Sequence, residues 1–341
     1  MITHRPTWPL STLPLAQDFS CHGALFVLLL LLPWTSVLTQ TMEEENSNVD
    51  CPPFSEYKGI SFPTSVQTPE SLQYSEDFDV RDDDVFVVTY PKSGTTWMQE
   101  ITTLIVSGGD LTPVKTIPSW ERVPWVENIT GKGYLENRPS PRLISTHAPY
   151  SIAPKKLREG KGKAIYVTRN PKDVMVSVHH FSKFAQFLAN TGTLEECFHN
   201  FVSNKAQLQG GSWFTHVRGW HEHKDAPNIF MISFEDMVMD LRGSVKRIAD
   251  FMERPLSESA LDTIAEHCTF SSMKKSPMAN YSLVPNKWLD HNVGTFMRKG
   301  TVGNWKSEFT VELSEKFDTV YAKKMEGCDL KFVWDIAELH K

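Results

Sequence analysis

The sequence is most informative first through what it lacks. No Gly-x-x-x-x-Gly-Lys segment is present, so a Walker-type triphosphate loop is excluded. Its five cysteines, Cys21, Cys51, Cys197, Cys268 and Cys328, are odd in number and scattered. None forms a Cys-x-x-Cys pair, which argues against a zinc knuckle and against a disulfide framework, and a reducing compartment fits best. There is no basic excess either: 35 Lys and Arg stand against 41 Asp and Glu, a net charge of −6. General affinity for nucleic acid is therefore not expected, and any anion site has to be a local cluster. No internal repeat is visible. The longest apolar run, residues 24–32, is ended by Pro33 and falls short of the roughly 20 residues that span a bilayer.

That run resembles the hydrophobic region of a signal peptide, but its flanks fit poorly. Arg5 is distant, Asp18 is acidic, and no Ala-x-Ala site follows. Residues 1–41 are expected to be a hydrophobic extension that is disordered or dispensable, bypassed by initiation at Met42. Residues 42–341 are expected to form one α/β domain, within the upper size range of single domains. A cytoplasmic protein without stable membrane association is expected; glycan on Asn128 or Asn280 would instead indicate the secretory route through residues 24–38.

The chain is organised around residues 85–97. Val85-Phe86-Val87-Val88-Thr89 is continuously apolar and β-branched, the pattern of a strand buried on both faces of a parallel sheet. Pro91 ends ladder pairing and Gly94 permits a tight turn. Trp97, Ile101, Leu104 and Ile105 then recur at helical spacing. Lys92, Ser93, Thr95 and Thr96 thus stand at a helix mouth, where free N–H groups, hydroxyls and an ammonium converge on one phosphate. An ordinary βα turn with a surface Lys is the bland alternative.

Further along, residues 50–80 read as a loose packed arm, and Asp82-Asp83-Asp84 as a solvated turn. Trp120 and Trp125 lie in a Pro-containing loop that either caps the core or walls an apolar pocket. A short strand ends at Ser145-Thr146-His147. In an open parallel sheet, ligands sit beyond the carboxyl ends of the strands, so His147 and Lys92 are expected to share a crevice. A neutral imidazole there suits a general base. Another strand ends in Arg169, followed by the helix start Pro171 to Asp173 and by Ser177 in its second turn. Residues 193–223 read as helical, and residues 228–234 as a strand. Glu235-Asp236 after it fits a helix start better than a magnesium ligand. A basic loop, Phe296-Met297-Arg298-Lys299-Gly300, offers a guanidinium fork and close backbone approach to a phosphate.

Taken together and in order over roughly residues 50–335, these motifs resemble the cytosolic sulfotransferases. The segments 120–127, 145–147 and 278–283 are most similar to the hydroxysteroid branch, and phenol-type members usually carry Lys where this chain has Ser145. The resemblance implies a single α/β domain with a central, mostly parallel sheet, helices on both faces and a P-loop-like phosphosulfate loop. It implies 3′-phosphoadenylyl sulfate (PAPS) as donor, no metal, and a small apolar alcohol as acceptor, with phenols as the alternative. Tyr90 to Trp97 match the family's 5′-phosphosulfate loop, with Lys92, Ser93, Gly94, Thr95, Thr96 and Trp97 at the donor. Arg169 through Ser177 and Arg298-Lys299-Gly300 would hold the 3′-phosphate, and Phe296 and Met297 would also stand at the donor site. Trp97 and Phe270 would sandwich the adenine, with Phe234, Cys268 and Met273 nearby, and Trp120, Trp125 and His147 would meet the acceptor. Lys306, Thr310, Val311 and Glu315 match the family's dimer segment, implying a homodimer. Phe234 departs from the usual Tyr, Cys268 from Ser or Thr, and Asn304 from Asp. The first two would each weaken donor binding by about 0.5–1.5 kcal/mol.

In the chemistry so implied, His147 takes the proton of the alcohol and Lys92 meets charge on the leaving oxygen. Ser177 binds the 3′-phosphate and holds Lys92 off the donor until an acceptor arrives. Two rival readings are a magnesium-dependent kinase using Lys92 and Asp236, and a nucleotide- or hormone-binding protein without turnover.

Overall fold

The computed structural model describes residues 54–203 and 210–338, and the extension expected over residues 1–41 lies outside them. A hairpin of β1 (Phe54–Tyr57) and β2 (Ile60–Pro63) leads into helix α1 (Pro69–Glu76). The central sheet has four strands, β3 (Val85–Thr89), β4 (Leu143–Thr146), β5 (Lys163–Thr168) and β6 (Ile229–Ser233), in the order β4-β3-β5-β6. All neighbouring pairs are parallel. Around it stand α2 (Thr95–Val106), α3 (Pro171–Ser182), α4 (Leu194–Val202), α5 (Trp213–His221), α6 (Phe234–Met239), α7 (Leu241–Phe251), α8 (Glu258–His267), α9 (Phe270–Lys275) and α10 (Val311–Lys324).

Both faces of the sheet are apolar because side chains alternate along a strand while helices cover each side. Val85, Val87, Ile165 and Val167 face one core with Ile101, Leu104 and Ile248. Phe86, Val88, Ala164 and Tyr166 face the other with Phe62, Leu72 and Trp220. A third cluster joins Tyr90 and α3 to α4, α5 and Phe317 of α10. Register sets where the strands stop. Val88 aligns with Thr146 and Thr89 with Val167, so β3, β4 and β5 end nearly level. Chain order runs from β3 to β4 on one side and from β5 to β6 on the other. The crevice between β3 and β5 is thus the switch point where ligands bind in open parallel sheets.

Several expectations need correction. The 50–80 arm contains regular elements, β1, β2 and α1; the capping box of Thr68 and Ser71, with Pro69 in the first turn, starts the helix locally. Trp120 lies in a short helix, Ser119–Arg122, rather than a loop. The long helical reading of 193–223 divides into α4 and α5, with residues 204–209 outside the described part. Phe234 ends no strand; it opens α6, where Ser233 and Asp236 form a capping box. Asp236 is therefore a helix-start residue. Most instructively, Asp84 is not solvated. It is fully buried and takes both Arg142 Nε (2.8 Å) and Nη2 (2.5 Å), while accepting the Arg81 N–H at 2.7 Å. That pair ties the start of β3 to the start of β4.

Removing one partner of such a pair strands the other charge in the interior. Asp84→Ala is expected to cost about 3–5 kcal/mol in denaturant unfolding, with an unchanged slope. A loss below about 1 kcal/mol would mean the pair behaves like a surface ion pair.

Candidate active site

The β3–α2 loop is shaped by two left-handed residues. Lys92 has φ 69° and Gly94 has φ 115°. The left-handed φ of Gly94 suits glycine, and a Cβ there would press on Cδ2 of Phe234 at 3.1 Å. The turn delivers the chain into α2, whose first N–H groups have no intrahelical partner and point outward with the positive end of the helix dipole. Thr95 and Thr96 open that helix and are buried.

A cavity of about 630 Å³ opens beyond these strand ends. Lys92, Thr95, His147, Arg169, Ser177 and Arg298 all line it. Phe181, Phe187, Leu188, Tyr281 and Trp288 are among the side chains that make the rest of its wall apolar. The crevice expected to join Lys92 and His147 is thus present.

His147 is held from three directions. Its Nδ1 lies 2.8 Å from the carbonyl oxygen of Thr89 and 3.2 Å from the Thr89 hydroxyl. A carbonyl only accepts, so Nδ1 carries the proton and Nε2 is left with the lone pair. The His147 backbone N–H donates to Glu127 Oε1 at 2.7 Å, fixing the end of β4. Burial pushes the imidazole down to about 4; the Thr89 bond opposes this and the Lys92 charge adds to it. The Thr89 hydroxyl also meets the Thr95 hydroxyl at 2.7 Å, linking the imidazole to the start of α2.

Lys92 lies with Nζ over the Phe181 ring (3.8 Å from its centroid) and the Phe296 ring (4.2 Å). Burial lowers it to about 7, with the positive charges of Arg169 and Arg298 adding to the effect. Arg169 reaches across the crevice: Nη1 donates to the Lys92 carbonyl (3.1 Å) and Nη2 to the Thr301 carbonyl (3.2 Å). Its Nε–H is buried without a partner among the described residues. The Phe234 ring covers the guanidinium at 4.1 Å and meets Trp97 edge-on at 5.2 Å.

The basic loop is fastened to α3. Asp173 accepts the N–H groups of Gly303 (2.8 Å) and Trp305 (2.9 Å). Asn170 caps α3 through Asp173 N and is itself gripped by Glu235. Asn304 Oδ1 takes Arg298 Nη2 at 2.5 Å. Gly300, at φ 65°, lies so closely against the Phe270 ring that a Cβ there would overlap it.

Of the remaining expected residues, Trp97, Trp125, Phe234, Cys268, Phe270, Met273, Phe296, Met297, Lys299 and Gly300 line the cavity. Trp97 Nε1–H donates to the Cys268 carbonyl at 2.7 Å, so the backbone rather than the thiol is engaged. Ser93 does not line the cavity; its hydroxyl is buried without a partner among the described residues. Trp120 is also absent from the lining and packs on Tyr281 at 5.0 Å. Sequence reasoning did not single out Glu127, Phe187, Leu188 or Trp288 as individual site residues. The aromatic density of residues 181–188 was a usable signal for the wall; a lone Glu behind a strand carries none.

A titration follows from these surroundings. In ligand-free protein, the His147 ring nitrogens should stay neutral from pH 7 down to about 5 and protonate near 4, not near 6.5. Nitrogen-detected NMR reads this directly, and a midpoint above 6 would mean the imidazole is solvated.

Compared with known proteins, residues 82–329 match the family model described as the sulfotransferase domain. Sulfotransferase 2B1 of Mus musculus is 47% identical over 283 residues, covering 83% of this chain and 83% of that one. Amine sulfotransferase of Oryctolagus cuniculus is 45% identical over 282 residues, covering 82% of this chain and 93% of its own. The crystal structure of mouse sulfotransferase SULT7A1 complexed with PAP is similar at a TM-score of 0.66 and 31% identity, covering 81% of this chain and 95% of that one. Matched across the whole central sheet, the β3–α2 loop and the 296–300 loop, this chain belongs to the sulfotransferase family.

Proposed function

We propose that this sulfotransferase moves the sulfuryl group of PAPS onto the hydroxyl of a small apolar alcohol, a hydroxysteroid foremost. The observation that carries the reading is a single cavity with two characters. Lys92, Arg169, Arg298 and Lys299 line it together with aromatic and aliphatic side chains and a neutral His147. The similarity to sulfotransferase 2B1 and the relative complexed with PAP support it.

The residues fit such a donor on their own terms. The buried, unpartnered Nε–H of Arg169 supports an anion beside Ser177 and the Arg298 loop. The bare N–H groups of α2, with Lys92, Thr95 and Thr96, support a second. Trp97 and Phe270 both line the cavity and offer ring faces to a base. PAPS supplies an activated sulfur bonded to a phosphate oxygen. His147 Nε2 takes the hydroxyl proton of the alcohol as its oxygen bonds to sulfur, while Thr89 holds the ring and Glu127 holds the His147 backbone N–H. Lys92 neutralises charge on the departing oxygen. No hydrogen bond joins Ser177 to Lys92 among the described residues, so the role of Ser177 rests on its place beside the 3′-phosphate.

We further read the chain as a cytoplasmic homodimer through residues 306–315. Val311, an apolar residue, is 77% exposed there. Thr310 caps α10 by accepting the Leu313 N–H at 3.1 Å, which presents Val311 on the first turn. Among the described residues, Cys197, Cys268 and Cys328 are free, and no helix is long and apolar enough to cross a membrane.

Sulfate transfer from labelled PAPS to a panel of steroid alcohols, phenols and amines tests the whole reading. Steroid alcohols should be preferred; preference for phenols or amines would reassign the acceptor, and no transfer would sink the activity. His147→Ala should lower kcat by about 10²–10⁴ while donor binding by calorimetry survives. Arg298→Ala should raise the donor KM about ten- to hundredfold with little change in kcat, the worth of a charged hydrogen bond.

A further inference from the structure

We propose that Glu308 is a built-in counter-ion to the basic loop, one that weakens the loop's grip on a 3′-phosphate and so sets the affinity for nucleotides that carry one. The inference rests on the donor reading above and names a residue that the reading does not use. Two cations and an imidazole converge on one oxygen of this carboxylate. Oε1 lies 3.7 Å from Arg298 Nη1, 3.7 Å from Lys299 Nζ and 3.3 Å from His180 Nε2. His180 comes from α3, whereas Arg298 and Lys299 come from the basic loop.

The main chain puts the carboxylate there. The Glu308 N–H donates to the Trp305 carbonyl at 3.0 Å, and Asp173 holds the Trp305 N–H at 2.9 Å. The same turn carries Asn304, whose Oδ1 takes Arg298 Nη2 at 2.5 Å. Asn304 departs from the family's usual Asp, so its side chain brings a hydrogen bond without a charge. The charge beside the guanidinium comes from Glu308 instead.

This division of tasks gives the sign of the effect. A separation of 3.7 Å is too long for a hydrogen bond, so Asn304 orients the guanidinium and Glu308 does not. What Glu308 adds is a field. Its side chain and that of Arg298 are each only 26% exposed, so solvent screens them incompletely. A phosphate brought to the same cations meets repulsion from the carboxylate already beside them. Arg298 and Lys299 line the cavity and Glu308 does not, so the phosphate reaches the cations without touching the carboxylate. His180 does not cancel the charge at neutral pH, because burial and then the Arg298 charge hold its imidazole below the ordinary value. Asp173, the other carboxylate that bears on Arg298, is engaged by the N–H groups of Gly303 and Trp305. Donor and spent nucleotide both carry the 3′-phosphate, so one carboxylate loosens both.

Calorimetric binding of adenosine 3′,5′-bisphosphate to the full chain tests the assignment. Glu308→Gln keeps the size and an acceptor for His180 while removing the charge. It should bind the bisphosphate about fivefold more tightly at low salt, the worth of one partly exposed charge pair. The gain should vanish near 1 M salt, where fields are screened within about 3 Å. Adenosine 5′-phosphate, which lacks the 3′-phosphate, should gain less than about twofold. Unchanged or weaker binding of the bisphosphate overturns the proposal, since a carboxylate that merely braced the loop would weaken binding when lost. A gain that survives high salt overturns it too, because a reshaped loop and not a field would then be responsible. An equal gain for both nucleotides removes the link to the 3′-phosphate. Should Glu308→Gln fail to fold, Glu308→Ala carries the same expectations. If the wild type binds neither nucleotide, the donor reading falls and this one with it. If it binds the bisphosphate and the variants gain nothing, only the role of Glu308 is lost.

Discussion

The bond from Nδ1–H of His147 to the carbonyl of Thr89 governs what the cavity is able to do. It joins the ends of two neighbouring parallel strands, fixes the tautomer, and leaves Nε2 as an acceptor facing the cavity. Thr89 also touches Thr95, the first residue of the helix that would receive a phosphate. The His147 imidazole and the β3–α2 loop are therefore one hydrogen-bonded unit. The unit exists only because β3 and β4 pair in the register that sets Val88 beside Thr146. A slip of one residue would turn His147 to the opposite face of the sheet.

Electrostatics is arranged by a division of labour among charged groups. The chain as a whole is acidic, at −6. Yet Lys92, Arg169, Arg298 and Lys299 all line one cavity. The carboxylates nearby are mostly spent on backbone N–H groups. Asp173 holds Gly303 and Trp305, Glu235 holds Asn170, and Glu127 holds His147. These acids shape loops without cancelling the basic charge outright. Glu308 is the exception, 3.7 Å from both Arg298 and Lys299. The result is a positive field that no residue count would reveal, held in a low-dielectric crevice where it acts strongly on an anion.

Much of this was legible in residue order. The β-branched run before Pro91, the apolar strands before His147 and Arg169, and the Gly-flanked basic loop each carry a local signal, and each appears at a strand end or helix mouth. Phe234 shows where local signals mislead. It follows an apolar run and reads as strand, but the Ser233–Asp236 capping box makes it the first helical residue, which turns its ring onto Arg169. Asp84 misleads in the same way. Three consecutive acids suggest solvent, and nothing in their neighbourhood announces Arg142, more than fifty residues away.

Residue order by itself determined the alternation of buried strands and amphipathic helices, the chemical types at each strand end, and the glycines at which side chains would be strained. Those properties depend on neighbours a few positions apart, through backbone sterics and apolar periodicity. Only the tertiary structure decided that Lys92 rests between two phenyl rings, that Trp120 stands behind Tyr281, and that Asp173 anchors a loop far along the chain. These contacts arise from how helices and loops pack over the sheet edge. Packing is a property of distances between segments remote in sequence, which no local pattern encodes.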